Sequence, residues 1–332
     1  MPPREFAADR YEKMPYRRCG RSGLMLPAVS LGFWQSLGEP GREDACRQIA
    51  YHAFDHGITH FDLANNYGPP PGNSERVVGR ILKDMPRDEL IVSTKAGYPM
   101  WDGPYGDGGS KKYLVASLDQ SLKRLGLEYV DLFYHHRPDP NTPLAETFAA
   151  LDLVVRQGKA LYAGVSNYPG ARFRDAADLV RGHDWAPITI HQPYYNMLRR
   201  TVETDLLPQT HAVGTGVIAF CPLAQGVLTD RYLDGLPEDS RRGRCGEDGR
   251  KWWQQQQDAG VWDKVRRLRE IAAARGQTMA QLALTWLLRD ERVTSVLIGV
   301  SRIEQLADNL AAANAAPLTD EELGAIDAIL AE

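Results

Sequence analysis

A regular alternation of strand-like and helix-like segments is the strongest constraint that this sequence places on its fold. About eight short apolar runs, from residues 29–33 to residues 293–298, are each followed by a segment whose apolar residues recur with helical spacing. Strands that alternate with helices predict a parallel sheet covered by helices. Eight such units without a long linker favour closure into a (β/α)8 TIM barrel, for which 332 residues suffice. A doubly wound open sheet is the alternative fold.

Smaller elements are expected around the predicted barrel. Residues 1–14 have the character of a flexible leader, and residues 15–332 that of a single domain. Residues 16–27 contain two short runs around a Gly-Arg-Ser-Gly turn, which predicts a β-hairpin. Residues 226–258 form a long polar insertion, and extra helices are expected near the C-terminus.

Composition narrows the class of protein. The formal net charge of −4 argues against a nucleic-acid-binding protein, which would need a basic surface. The first residues lack the apolar stretch of a signal peptide, and no run of about 18 apolar residues is present to cross a membrane. Four dispersed cysteines lack the spacing of a metal site and are typical of thiols in a reducing compartment. We therefore expect a cytoplasmic protein that needs no metal.

Polar side chains occur where the predicted strands end, which is where barrels of this class carry their sites. Asp62 and Tyr67 follow one strand, and Lys95 and His136 end two others. Each has a structural explanation when taken singly. Asp62 could cap the next element, Tyr67 could pack on the rim, and His136 could be a packed or capping histidine. Their convergence on one rim is harder to explain as architecture.

Two kinds of chemistry are compatible with these residue types. A desolvated Lys95 could form a Schiff base with a carbonyl substrate, as in an aldolase. Alternatively, Tyr67 could donate a proton to a carbonyl oxygen if the Lys95 ammonium makes its phenol more acidic. Asp62 is the natural partner of a buried lysine, because an unpaired charge is costly in a dry environment.

Several motifs together resemble the aldo-keto reductases, from about residue 16 to the C-terminal helix, in the order and at the spacing of that family. They are Phe61-Asp62 with Tyr67-Gly68, Thr94-Lys95, His136-Arg137-Pro138, Gly164-Val165-Ser166-Asn167 and Ile298-Gly299-Val300-Ser301. Residues 63–72, 95–98, 103–106 and 222–226 are similar to the branch that includes bacterial L-glyceraldehyde 3-phosphate reductases and potassium-channel β subunits.

The resemblance implies an NADPH-dependent reductase of small aldehydes, with L-glyceraldehyde 3-phosphate and methylglyoxal as candidate substrates. Tyr67 would be the proton donor, and an ion pair of Lys95 with Asp62 would lower the pKa of its phenol. His136 would orient the substrate carbonyl. The alternative role is that of a channel-β-subunit-like partner protein that binds NADP(H) as a redox sensor. A tetramer or an octamer is the expected homo-oligomer.

The resemblance also implies which residues hold the cofactor. The chain has no GxGxxG fingerprint of a Rossmann site, and the family binds its cofactor on the barrel rim. Ser166, Asn167 and Gln192 would hold the carboxamide, and Phe220 would stack on the nicotinamide. Ser301 precedes a predicted helix whose first N–H groups suit a phosphate, although a simple helix cap would explain it equally. The other expected contacts are Phe33, Trp34 and Asp62, then Cys221, Pro222, Leu223, Ala224, Gln225 and Gly226 along the pyrophosphate, and Arg231, Arg241, Gly299, Gln305, Asp308 and Asn309 around the 2′-phosphate.

Overall fold

A closed barrel of eight parallel strands forms the centre of the computed structural model, which describes residues 4–34 and 37–332. The strands are β1 (Tyr16–Arg18), β2 (Met25–Pro27), β3 (Val29–Gly32), β4 (His60–Asp62), β5 (Ile91–Ala96), β6 (Val130–His135), β7 (Ala160–Ser166), β8 (Ile188–Gln192), β9 (Gly216–Phe220) and β10 (Val293–Ile298). Strands β3 to β10 pair in chain order, and β10 closes the barrel against β3. The predicted TIM barrel is therefore confirmed, and the open-sheet alternative is wrong.

Helices follow the barrel strands and cover them. They are α1 (Glu43–Asp55), α2 (Asn73–Leu82), α3 (Lys111–Leu125), α4 (Leu144–Arg156), α5 (Gly170–Gly182), α6 (Val202–Asp205), α7 (Leu207–Val213), α8 (Gly246–Asp258), α9 (Val261–Ala274), α10 (Met279–Leu288), α11 (Ile303–Leu310) and α12 (Asp320–Ala331). The single helix expected near residues 202–211 is divided into α6 and α7, because Pro208 lacks an N–H and therefore suits the first turn of a new helix. Across the described residues, none of these helices has both the length and the apolar character to cross a membrane.

The register of the barrel strands brings four polar side chains to the inner face. Asp62 on β4 lies opposite Ser93 on β5 and Gly32 on β3. Side chains two residues apart share a face of a strand, so His60 lies on the same face as Asp62, and Ser93 on the same face as Lys95. All four of these side chains are fully buried. The carboxyl ends of β4 and β5 therefore carry charged groups into the top of the barrel.

The predicted hairpin closes the opposite end of the barrel. β1 and β2 pair antiparallel, and Leu24 and Leu26 pack with the inward-facing Leu132, Ile190 and Ile218. Such packing buries apolar surface that would otherwise face water at the amino ends of the strands. The site must therefore lie at the carboxyl ends.

Residues 6–14, which the sequence predicts to belong to a flexible leader, lie against the outside of the barrel. Phe6 packs edge-on to Phe54 of α1, with ring centroids 4.9 Å apart. The Ala7 N–H donates to Asp55 at 2.7 Å, and Met14 is buried. Aromatic packing against α1 holds this segment in place. Helix α1 is distant from the segment in sequence, so a local pattern does not reveal the contact. Residues 1–3 of the predicted leader lie outside the described residues.

The long polar insertion contains a helix that its composition did not predict. α8 is polar along most of its length, but Trp252 and Trp253 pack against Trp262 of α9, with ring centroids 6.0 and 5.9 Å apart. Trp253 Nε1 also donates to the carbonyl of Tyr232 at 2.9 Å. Tertiary packing of a few aromatic rings thus stabilises a helix with little apolar surface of its own.

Buried histidines, among them His60, His135 and His191, make the free energy of unfolding depend on pH. Burial lowers the pKa of His60 and His135 to about 4 and that of His191 to about 3, against 6.5 for an ordinary histidine. Below about pH 6.5 the unfolded chain therefore binds protons that the folded chain excludes, so the protein loses stability as the pH falls toward about 4. Each histidine should contribute roughly 3 kcal/mol to this loss.

Urea unfolding between about pH 7 and about pH 4 tests this prediction. His191→Gln should remove the contribution of that histidine and make the loss of stability toward acid less steep. His211→Gln, at an exposed position of α7, is the matched control and should leave the pH dependence of wild type. Identical pH dependence of the two variants would contradict the prediction.

Candidate active site

A buried ion pair lies at the carboxyl ends of β4 and β5. Lys95 Nζ donates to Asp62 Oδ2 at 2.5 Å and to the carbonyl of Leu63 at 2.6 Å. Neither charged side chain has any exposed surface. The other carboxylate oxygen, Oδ1, accepts from Ser93 Oγ at 2.6 Å and from Gln192 Nε2 at 3.2 Å. Pairing of this quality is what allows two charges to be buried without a large net cost.

Tyr67 lies above this pair, in the loop that follows β4. Its hydroxyl is 3.4 Å from Lys95 Nζ, and the ring is half-buried. The rings of His136 and Trp34 flank it, with centroids 5.9 and 6.4 Å away. The structure thus brings Asp62, Tyr67, Lys95 and His136 together at one place on the rim.

The direction of the pKa shift at Tyr67 is opposite to the one expected. Burial raises the pKa of Tyr67 well above its ordinary value of 10.0, and the nearby Asp62 carboxylate raises it further. Burial also lowers the pKa of Lys95 below 10.5, an effect that the charge of Asp62 opposes. The expected lowering fails because the close contacts of the Lys95 charge are to Asp62 and Leu63 rather than to Tyr67. Tyr67 is therefore a neutral phenol at neutral pH.

His136 is also uncharged in this setting. Burial lowers the pKa of His136 well below 6.5, and the Lys95 charge lowers it further. Its ring packs edge-on to Tyr98, with centroids 4.7 Å apart, and its buried Nδ1 has no hydrogen-bond partner among residues 4–34 and 37–332. A neutral imidazole is a much weaker acid than the imidazolium, but it can still donate one hydrogen bond. His136 is thus suited to orient a ligand rather than to protonate it.

Asp62, Tyr67 and His136 open into one long cleft of about 1250 Å³, which Lys95 does not line. Most of the predicted cofactor residues line it, namely Trp34, Asp62, Ser166, Asn167, Gln192, Phe220, Cys221, Pro222, Leu223, Gln225, Gly226, Arg231, Arg241, Gly299, Ser301, Gln305, Asp308 and Asn309. Phe33 and Ala224 do not. Phe33 is fully buried and packs on Phe61, and Ala224 is buried among the apolar side chains of the core. Both fall within predicted binding stretches, but their side chains face the core.

Unusual backbone geometry is concentrated along the cleft. Five described residues other than glycine have positive φ angles, and three of them, Asn167, Cys221 and Gln225, line the cleft. Ala224, between Cys221 and Gln225, also has a positive φ, of 47°, although it does not line the cleft. Left-handed backbone is unfavourable for residues with a side chain and persists mainly where function requires it. The segment from Cys221 to Gln225 thus combines strained backbone with a position along the cleft, as expected of a binding segment.

The end of the cleft beside Ser301 suits a ligand that carries phosphates. Arg231, Arg241, Arg244 and Arg302 line the cleft, and Arg241 stacks over Trp34. Just before α11, the N–H and the hydroxyl of Ser301 both donate to Gln305 Oε1, at 2.9 and 3.0 Å. Two donors thus converge on one oxygen at a helix N-terminus. A phosphate oxygen could accept the same two hydrogen bonds. No set of three or more His, Cys, Asp or Glu side chains in the described parts of the chain could hold a metal ion.

The cleft also contains residues that the sequence did not single out. Tyr194 stacks on Phe220, with centroids 5.2 Å apart and planes inclined by 19°. Arg42 lines the phosphate end and donates to the carbonyl of Ser301 at 2.7 Å. Tyr194 lies two residues after the end of β8, so its position at a strand end was a usable signal. No sequence signal pointed to Arg42, because its contact is with Ser301, which lies 259 residues away.

The order of these residues along the chain agrees with a comparison of the sequence with models of protein families. The family model of the Aldo/keto reductase family matches residues 28–331. The chain belongs to the aldo/keto reductase family. It is therefore an oxidoreductase of the class that uses a nicotinamide cofactor, as the motifs predicted. The rival Schiff-base chemistry does not fit an aldo/keto reductase, nor a lysine with no exposed surface that donates to Asp62 and to a backbone carbonyl.

Individual relatives of this aldo/keto reductase are similar over nearly their whole length. L-glyceraldehyde 3-phosphate reductases of Escherichia coli O157:H7 and of strain K12 are each 54% identical over 329 residues, covering 98% of this chain and 94% of the relative. A putative voltage-gated potassium channel subunit beta of Schizosaccharomyces pombe is 36% identical, covering 96% of this chain and 94% of the relative. Both groups named by the motifs are thus represented among its relatives.

Proposed function

We propose that this protein reduces small aldehydes to alcohols with NADPH, and that Tyr67 supplies the proton. The observation that carries the proposal is the Tyr67 hydroxyl, 3.4 Å from a lysine that is itself fixed by a buried carboxylate. A phenol in this setting keeps its proton until a stronger base appears beside it. The alkoxide that forms when an aldehyde is reduced is such a base.

Three side chains of the protein would have separate roles at the carbonyl oxygen of the substrate. When bound, the reduced nicotinamide supplies the hydride to the carbonyl carbon. His136 would donate a hydrogen bond that orients the carbonyl oxygen toward Tyr67. Tyr67 would transfer its proton to that oxygen, and the Lys95 ammonium would stabilise the tyrosinate left behind. Because the tyrosinate exists only as the reaction proceeds, this stabilisation lowers the barrier rather than tightening ground-state binding.

The cleft has the size and the donors that a dinucleotide requires. Its volume of about 1250 Å³ is larger than the roughly 300–1,000 Å³ of a pocket for a single small ligand. Asn167 and Gln192 would hold the carboxamide, and the Tyr194–Phe220 stack would flank the nicotinamide. Ser301 and the arginines would hold phosphates, since charge-assisted hydrogen bonds from such groups are strong.

NADPH should be preferred to NADH by tenfold or more in kcat/KM. Each charge-assisted contact to the 2′-phosphate is worth roughly 1.5–3 kcal/mol, so even one contact gives about a tenfold preference. Ser301→Ala should lower kcat/KM for NADPH and leave the value for NADH unchanged, because NADH has no group at that position. Steady-state kinetics with both cofactors measure the two effects. Equal kcat/KM for the two cofactors in wild type would contradict the preference.

Small three-carbon aldehydes are the expected substrates. The two 54% identical relatives are L-glyceraldehyde 3-phosphate reductases, and the rings of Trp34, Tyr98 and His136 line the cleft around Tyr67. Loss of NADPH absorbance should therefore be faster with L-glyceraldehyde 3-phosphate and methylglyoxal than with bulky steroid ketones. The reverse order would contradict the substrate class. Tight cofactor binding without turnover of any aldehyde would favour the channel-β-subunit-like role.

We further propose that the protein acts in a reducing compartment, the cytoplasm. Cys19, Cys46, Cys221 and Cys245 are free thiols, and Cys221 lines the cleft. Burial raises the pKa of Cys221 to about 11, so the thiol is protonated and unreactive at neutral pH. The expected tetramer or octamer belongs to the same proposal, and analytical ultracentrifugation would measure it.

A further inference from the structure

A continuous chain of hydrogen bonds runs through the barrel interior and ends on the Asp62 carboxylate. Ser93 Oγ donates to Asp62 Oδ1 at 2.6 Å, and His60 Nε2 lies 3.0 Å from Ser93 Oγ. His60 Nδ1 lies 2.9 Å from Ser30 Oγ, which is 2.7 Å from Ser295 Oγ. None of the five side chains has exposed surface. The proposed mechanism uses Asp62 but assigns no role to the other four.

The ionised carboxylate fixes the direction of the first two hydrogen bonds. Asp62 pairs with the Lys95 ammonium and is therefore an acceptor only. A serine hydroxyl has a single proton, and Ser93 gives its proton to Asp62. Ser93 Oγ can then only accept from His60, so the proton of the imidazole must be on Nε2.

The neutral state of His60 fixes the remaining directions. Burial lowers the pKa of His60 to about 4, so at neutral pH the ring has one N–H. With that proton on Nε2, Nδ1 can only accept, and Ser30 must donate to it. Ser30 has then used its proton, so Ser295 donates to Ser30 at 2.7 Å rather than to its other neighbour, the carbonyl of Ala28 at 3.3 Å. Every hydrogen bond in the chain points toward Asp62.

We propose that His60 and Ser93 are positioning residues of the active site. With Ser30 and Ser295 they form a one-directional hydrogen-bond chain that orients the Asp62 carboxylate toward Lys95. Aligned hydrogen bonds in a buried setting polarise one another, which makes the Ser93 hydroxyl a better donor to the carboxylate. This role rests on the proposed function, in which Lys95, held by Asp62, stabilises the Tyr67 phenolate.

Removing the charge of residue 62 should reverse the chain. In Asp62→Asn, the amide oxygen must face Lys95, which still needs an acceptor, so the NH₂ group faces Ser93 and Gln192, and the Gln192 amide must turn its oxygen toward residue 62. Ser93 Oγ then accepts from residue 62 and donates its proton to His60 Nε2. The imidazole proton moves to Nδ1 and is donated to Ser30. The tautomer of His60 thus reports the charge of residue 62, which a purely structural histidine would not do.

Nitrogen-15 NMR of histidine-labelled protein reads this tautomer directly, because protonated and unprotonated ring nitrogens have well-separated shifts. His60 should be protonated on Nε2 in wild type and on Nδ1 in Asp62→Asn, and its signals among the eight histidines are those lost in His60→Gln. His191 is the internal control. Its Nε2 lies 3.0 Å from the backbone carbonyl of Tyr168, which can only accept, so His191 should be protonated on Nε2 in both proteins.

Kinetics provide a second readout that does not depend on Asp62→Asn folding. Ser93→Ala should lower kcat about tenfold, the worth of a hydrogen bond to a charged group, with KM for the aldehyde unchanged because Ser93 does not line the cleft. His60→Leu should lower kcat roughly threefold, and His60→Gln, which keeps a donor toward Ser93, should restore most of the rate. Ser117→Ala, at a buried serine of α3, is the matched control.

The two readouts separate this inference from the proposed function. Protonation on Nε2 that moves to Nδ1 in Asp62→Asn, with a slow Ser93→Ala enzyme, is the expected result. A wild-type His60 protonated on Nδ1 would overturn the inference, as would an unchanged tautomer in Asp62→Asn or a Ser93→Ala enzyme as fast as Ser117→Ala. A protein that reduces no aldehyde would overturn the proposed function, and with it the positioning role, whereas the tautomer would still decide the direction of the chain.

Discussion

Replacing Lys95 with methionine should lower both the stability of the protein and its rate of aldehyde reduction. Lys95 has no exposed surface and pairs with Asp62 at 2.5 Å. Methionine fills most of the same volume but leaves the Asp62 carboxylate buried without its cation. Removal of one partner of a buried ion pair typically costs ~3–5 kcal/mol, so the free energy of unfolding should fall by about that amount.

The rate should fall in the same variant because the tyrosinate formed at Tyr67 would lose its neighbouring positive charge. Removal of one group that stabilises developing charge typically costs about 10²–10³ in kcat. The affinity for NADPH should change little, because the Lys95 side chain does not line the cleft. Urea unfolding and steady-state kinetics on the same preparation measure both effects.

Lys159→Met is the matched control, since it removes a lysine from an ion pair on the surface. Lys159 Nζ is 2.7 Å from Asp119 Oδ1, and the two side chains are 33% and 41% exposed. A surface pair contributes at most ~1 kcal/mol, so this variant should be almost as stable as wild type and equally active. Equal stability and equal kcat of Lys95→Met and Lys159→Met would contradict the role given to the buried pair.

The barrel could be predicted from the sequence because its elements are local patterns. Each apolar run and each helical repeat can be recognised without knowing what packs against it. Asp62, Lys95 and His136 could be placed on one rim because the carboxyl ends of parallel strands meet there. Residues 6–14 could not be predicted, because they are stabilised by an aromatic contact to a distant part of the chain. Helix α8 could not be predicted either, because it depends on the packing of its tryptophans against the next helix, α9, and not on an apolar pattern of its own.

The electrostatics of the site were beyond sequence reasoning. The sequence places a lysine near Tyr67, from which a lowered pKa of the phenol follows only if the lysine charge acts on it. In the structure that charge is held by Asp62 and the carbonyl of Leu63, and burial dominates at Tyr67. Burial and the distribution of hydrogen bonds depend on three-dimensional packing, so the direction of such a shift cannot be obtained from motif spacing.

The buried hydrogen-bond chain is an intermediate case. His60 and Ser93 each precede a charged residue by two positions, so the strand period places them on the same face as Asp62 and Lys95. A polar residue at an inward position of a barrel strand was therefore a usable signal. Ser30 and Ser295 could not be joined to it, because 265 residues separate them.

Replacing Tyr67 with phenylalanine should have the largest effect on catalysis. The change removes the phenolic proton and almost no volume, and the hydroxyl has a polar contact to Lys95 at 3.4 Å. Loss of a general acid lowers the rate by about 10²–10⁴, so kcat should fall in that range. Stability should change little. Tyr129→Phe, whose ring lies 4.3 Å from the guanidinium of Arg87 and does not line the cleft, is the matched control and should retain full activity.

The pH dependence of wild type should agree with the same acid. Reduction requires Tyr67 to be protonated, so activity is lost as the pH rises through the pKa of Tyr67 and not as it falls. Burial raises that pKa well above 10.0. The rate of reduction should therefore be constant through neutral pH, with any loss due to Tyr67 confined to strongly alkaline solution.

The most direct test of Tyr67 as the proton donor is the single-turnover rate of aldehyde reduction in wild type and Tyr67→Phe, both saturated with NADPH. This measurement isolates the chemical step from binding and product release. We expect the rate of Tyr67→Phe to be lower by about 10²–10⁴, with an unchanged Kd for NADPH. A Tyr67→Phe protein that retains most of the wild-type rate would show that the proton comes from another group and would contradict the mechanism.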